Sequence, residues 1–151
     1  MTRPTAWFVH VAVLLVAGTG LAYGWMRYFV ESDDEFAVVN HPWQPAMQHL
    51  HVLFAPLLVF ACGMIWLDHV WKRVRSGFPV RRRSGLLLAA LVFVMIASGY
   101  LLQVSTDDAW RTAWIWVHVA SSLGWTGGYA VHQLAPRRKA ERARAGREAG
   151  G

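Results

Sequence analysis

The sequence predicts an all-α integral membrane protein, a four-helix bundle with both termini cytoplasmic, and three observations carry that expectation. The apolar residues, 55% of the 151-residue chain, are gathered into long runs. Residues 5–26, 40–67, 84–106 and 112–136 contain no Asp, Glu, Lys or Arg, and each supplies the roughly 20 residues needed to cross a hydrocarbon core. Runs of this length exclude barrel strands, and without water only a helix or a closed barrel satisfies its backbone. The third observation is the placement of charge. All but Arg27 and Arg111 of the fifteen Lys and Arg residues lie at the N-terminus, between Lys72 and Arg83, or from Arg137 onward. Positive charge marks the cytoplasmic side, which puts both ends and the middle loop inside. Residues 1–136 form the membrane domain on this reading, and residues 137–151 a basic cytoplasmic tail suited to anionic lipid. The same clustering argues against a nucleic-acid partner despite a net charge of +6.

The elements follow in order. Helix one is expected over residues 7–28, with aromatic anchors at both ends and a Gly20-x-x-x-Gly24 motif that lets a helix or a flat ligand approach the backbone. It runs too long for a signal peptide and lacks a small-residue cleavage site. An acidic loop follows, then Pro45, suited to a first helical turn. Helix two is expected to reach Trp71, with a kink at Pro56. Helix three, residues 86–104, has no histidine or charge and reads as a packing helix. Helix four is expected over residues 110–134, before Pro136. No internal repeat is evident. Cys62 is the one cysteine and no CxxCH occurs, so covalent haem attachment and internal disulfides are excluded.

Seven histidines occur in the chain. An ionisable side chain inside a membrane is by default a functional-site candidate. His118 and His132 lie fourteen residues apart on helix four, almost four whole turns and a rise of roughly 21 Å. They therefore share a face, one near each side of the bilayer, and each can serve as an axial ligand of a b-type haem. In the outer layer His118 has His49 and His51 as possible partners on helix two. These two point about 160° apart, and His51 lies about 3 Å deeper, which favours His51 and keeps His49 as the alternate. In the inner layer His132 has His10 or His69. His51 and His69 are five turns apart with a rise of about 27 Å, longer than the interval on helix four, which favours His10 and keeps His69 as the alternate. His41 reads as a surface residue. Gly24 and Gly128 offer room for a porphyrin edge.

With these residues in place, the chain resembles the four-helix di-haem cytochrome b subunits of membrane formate dehydrogenases and nickel-iron hydrogenases. The resemblance covers residues 7–134 and rests on the helix count, inside termini, His10 early in helix one, His51 early in helix two, and His118-x13-His132. It implies His51 with His118 at an outer protohaem IX, His10 with His132 at an inner one, and a quinone near His10, His69 and the loop between helices two and three. It also implies a periplasmic or membrane redox subunit as partner, and a place in the bacterial inner membrane. The expected role is electron transfer in a respiratory chain, as a subunit of an oxidoreductase complex. The competing expectation is a haem-free structural or assembly subunit of a membrane respiratory complex. A transporter ranks below both, because the spans lack a buried carboxylate.

Overall fold

In the computed structural model, residues 2–75 and 82–134 are described, and their only regular secondary structure is helical. The expected basic tail, residues 137–151, and Arg81 of the middle loop lie outside them. Helix α1 spans Arg3–Tyr28 and starts four residues before its aromatic anchor. Thr2 caps it, its side chain accepting from Thr5 N–H at 3.3 Å, and a proline fills the first turn, where no donor is lost. Helix α2 spans Gln44–Ile65, with Pro45 in its first turn and Pro56 inside it. It stops short of Trp71: residues Trp66–Trp71 form a π-helical segment that carries His69. The four-residue helix α3, Lys72–Arg75, continues from it. Wide π turns inside α-helices are frequent at functional positions, and nothing in the hydropathy pattern announces this one.

Helix α4 spans Arg82–Val104 and α5 spans Asp108–Leu134. Asp107 starts α5, its carboxylate accepting from Trp110 N–H at 3.0 Å, and Asp108 adds an acidic group in the first turn where the helix dipole favours it. The residue 29–43 connection is held to its flanking helices by Asn40, which donates from Nδ2 to Arg27 O at 2.8 Å and from its backbone N–H to Gln44 Oε1 at 3.2 Å. Gln44 is buried by this arrangement. The acidic residues Glu31, Asp33, Asp34 and Glu35 are exposed.

Three of the helices, Arg3–Tyr28, Gln44–Ile65 and Ser84–Val104, are long and apolar enough to cross a membrane. Helix α5 matches them in length, but Ser121, Ser122, Thr126 and three glycines dilute its hydropathy. The surface of the bundle is apolar: Leu14 is 73% exposed, Leu53 66% and Phe60 62%. Its inside includes several small or polar residues, with Ala12, Ala61, Ser98 and Ser121 all buried. Exposed leucines around buried alanine and serine fit a membrane protein, where small residues let helices approach closely.

The helices pair as two antiparallel hairpins, α1 with α2 and α4 with α5. In α1 the buried positions are Val9, Ala12, Val13 and Val16, a stripe at i, i+3, i+4 and i+7 that faces one neighbour. Leu58 and Ala61 answer from α2, and Val92, Met95 and Trp125 complete the core from the second hairpin. The hairpins meet each other more sparsely, where α1 comes near α5 and the π-helical segment near α4. Ala61 is fully buried, so Ala61→Leu should overfill the core and cost about 1–3 kcal/mol, read as a lower unfolding midpoint in detergent.

Candidate functional site: a histidine pair between two hairpins

His51, on the second turn of α2, turns its ring onto α1. Its Nδ1 donates to the carbonyl of Val16 at 2.9 Å, with Thr19 Oγ1 also within 3.5 Å. A carbonyl oxygen can only accept, so Nδ1 carries the proton. The hydroxyl proton of Thr19 is already committed to Leu15 O at 2.6 Å, leaving that oxygen as a second acceptor. The neutral ring then holds its lone pair on Nε2, the nitrogen left for a metal.

His118, on α5, repeats this on α4. Its Nδ1 donates to Met95 O at 3.0 Å and lies 3.3 Å from Ser98 Oγ, whose own proton goes to Met95 O at 3.1 Å. Both rings rest on glycine. A Cβ added at Gly20 would stand 2.7 Å from His51 Cε1, and one at Gly99 would stand 2.9 Å from His118 Cε1, closer than any side chain permits. Each hairpin therefore offers one histidine the same three features at i, i+3 and i+4: a carbonyl from Val16 or Met95, a hydroxyl from Thr19 or Ser98, and a bare backbone at Gly20 or Gly99. The expectation that the chain has no internal repeat needs correcting at this local scale. So does the reading of the third span as packing alone.

The two rings face one another across the hairpins, their centroids 6.2 Å apart and their planes at 72°. Two imidazoles binding one metal from opposite sides, each nitrogen roughly 2 Å from it, place their ring centres about 6.3 Å apart. The pair thus has the spacing of two axial ligands, with two nitrogen donors and no third protein ligand among the described residues. Such a metal needs its remaining donors from elsewhere, as in a macrocycle. One turn beyond His118, Ser122 Oγ is buried without a hydrogen-bond partner among the described residues, an unusual expense for a hydroxyl.

The other expected ligands lie toward the opposite end of α5. His10 Nδ1 is 2.5 Å from the hydroxyl of Tyr129, which stacks on buried Trp125 at 5.3 Å. His132 Nδ1 is 3.3 Å from Ser84 Oγ. Tyr129 is one turn from His132 along α5, and His10 and His132 each have Nδ1 engaged by a hydroxyl of another helix. Ser84 and Ser98 repeat the fourteen-residue interval of His132 and His118 on the antiparallel partner helix, which is why both serines meet histidines. His49 is exposed and His69 is half-buried in the π-helical segment. His41 accepts from Trp43 N–H at 3.1 Å within its own turn.

A Cβ added at Gly24 would meet nothing within 4 Å, one added at Gly128 would stand 3.1 Å from Leu88 Cδ2, and Gly20 and Gly99 are the glycines against which the two rings rest. A signal for these was available: Val16-Ala-Gly-Thr-Gly20 and Met95-Ile-Ala-Ser-Gly99 share their spacing, and Ser84-Gly85 repeats the last two residues. No family model, no curated protein and no solved structure matches the chain.

The hydrogen bonds fix a tautomer that can be measured. In ligand-free protein, nitrogen-15 spectra of labelled histidine should show His51 and His118 with protonated Nδ1 and unprotonated Nε2, and the opposite tautomer at either residue would contradict the geometry.

Proposed function

We propose that the chain is a transmembrane di-haem b-type cytochrome that transfers electrons between a quinone pool and a partner redox protein. The observation that carries this reading is the His51 and His118 pair: two half-buried imidazoles from different hairpins at axial-ligand spacing, each with Nδ1 spent on a backbone carbonyl. In this reading α5 is a fourth span despite its polar residues. The helices form a four-span bundle in a bacterial inner membrane, with both termini cytoplasmic. The His51 and His118 site lies toward the outside, and His10 with His132 holds the second haem toward the inside.

Bound haem would supply one-electron chemistry, and the protein would set its position, ligation and surroundings. The residues divide that task. Val16 and Met95 orient the outer imidazoles and raise their basicity through the Nδ1–H bond. Tyr129 and Ser84 engage the inner ones. The buried apolar core, which includes Val13, Val16, Leu58, Val92 and Met95, would limit water near the ligands, which also bears on potential. The fourteen-residue interval on α5 separates the two sites along the membrane normal, so that one short chain bridges most of the bilayer. A quinone would sit near His10, His69 and the loop after α3, and the exposed acidic residues 31–35 would meet the periplasmic or membrane redox partner.

The test is spectroscopic. Protein expressed with haem available should show a b-type α band after dithionite reduction and two protohaems per chain. His51→Ala or His118→Ala should each remove one haem and leave the other, and His132→Ala should remove the second. His10→Ala should match His132→Ala while His69→Ala keeps both haems; the reverse outcome transfers the inner ligand to His69. Absence of any α band would falsify the cytochrome reading and favour a haem-free subunit.

A further inference from the structure

The helices fix the planes of the two imidazoles as well as their positions. An imidazole bound only through Nε2 keeps one easy motion, rotation about the bond to the metal. In this chain that rotation must break the Nδ1–H bond to Val16 O or Met95 O and carry the ring off the bare backbone at Gly20 or Gly99, against which Cε1 and Nδ1 both rest. Each ring is thus held along one edge by a directional bond and by close contact with a helix that cannot yield. The two holders belong to different hairpins, so no shared element turns the rings together. The angle between their planes, 72°, is set by how the hairpins are arranged.

We propose that Val16, Thr19 and Gly20 on α1 and Met95, Ser98 and Gly99 on α4 are positioning residues that hold the axial imidazole planes close to perpendicular, and so determine the electronic state of the ferric haem between them. This rests on the reading of His51 and His118 as haem ligands. The chemical reason is orbital direction. When two imidazole planes are parallel, both donate into the same iron d orbital, and the pair of d orbitals that interact with the ligand π systems splits widely. Near-perpendicular planes address one orbital each, and the two stay nearly equal in energy. The first arrangement gives a rhombic low-spin signal with three resolved g values. The second gives a strongly anisotropic signal dominated by one large g value.

The test is the ferric electron paramagnetic resonance spectrum of the full-length protein in detergent, with the haem-binding variants used to assign signals. The wild-type spectrum should contain a strongly anisotropic low-spin signal that persists in His132→Ala and disappears in His51→Ala and His118→Ala. A rhombic signal with that same pattern of persistence overturns the proposal while leaving the cytochrome reading intact. Protein without haem overturns both. Gly99→Ala should keep the visible haem spectrum but shift this signal toward the rhombic form, because the new methyl group forces the His118 ring to turn. If Gly99→Ala does not accumulate, Ser98→Ala and Thr19→Ala provide milder changes at the same edges, expected to move the large g value while haem content stays constant. A signal unmoved in all the variants that bind haem also overturns the proposal.

Discussion

The hydrogen bond from a histidine Nδ1–H to a carbonyl on the neighbouring helix is the constraint on which the rest of this structure depends. It occurs twice, from His51 to Val16 and from His118 to Met95, and each time it joins the two helices of a hairpin. An imidazole within an apolar bundle is costly unless its polar atoms are satisfied. The bond satisfies one nitrogen and fixes the tautomer that presents the other as a lone pair. The same contact explains the small residues nearby: a ring can reach the backbone of α1 or α4 only where glycine leaves room. Polar satisfaction, close helix approach and ligand orientation therefore come from one arrangement.

The surrounding packing follows the same economy. Most buried positions are valine, alanine or serine, with Leu58, Met95 and Trp125 the large exceptions, and many of the large apolar side chains point outward. In lipid there is little gain from burying a leucine against another helix, so close contact and hydrogen bonds decide the association. The two hairpins pack tightly within themselves and lightly against each other. His51 and His118 meet across that lighter junction, where a group inserted between them would touch both halves. The two imidazoles stand on separate supports, so the distance between them and the angle between their planes belong to the arrangement of halves.

The two ends of the bundle differ in chemistry. At one end the histidines bond to backbone carbonyls, which are fixed acceptors. At the other, His10 and His132 meet the hydroxyls of Tyr129 and Ser84, which can donate or accept. A carbonyl admits one protonation pattern of the ring beside it, and a hydroxyl admits two. The first end thus has its ring tautomers set by fixed acceptors, while the second has proton positions that its surroundings select. The π-helical segment at Trp66–Trp71 carries His69 with a local register that ordinary α-helical counting does not describe.

Much of this was legible in the sequence. Charge-free runs located the helices to within a few residues because a helix in lipid must be long and apolar, and the fourteen-residue interval put His118 and His132 on one face because helical periodicity fixes azimuth. Rise along a helix is equally regular, and it was enough to prefer His51 over His49, which lies exposed. Counting along single helices could not show which carbonyl a ring would find, since that depends on the offset and rotation of a neighbour. Thr19, Ser98 and Gly99 therefore looked like ordinary small residues, Gly20 stood out only as part of a GxxxG, and α4 looked inert. The π turn was hidden for a related reason: it conserves hydropathy while changing local geometry. The sequence by itself determined the helical character, the runs long and apolar enough to cross a membrane, and the histidines worth watching, because these rest on composition and on the fixed geometry of one helix. Only the tertiary structure decided that two of those histidines face each other, which nitrogen each presents and at what angle, because these depend on how two hairpins meet.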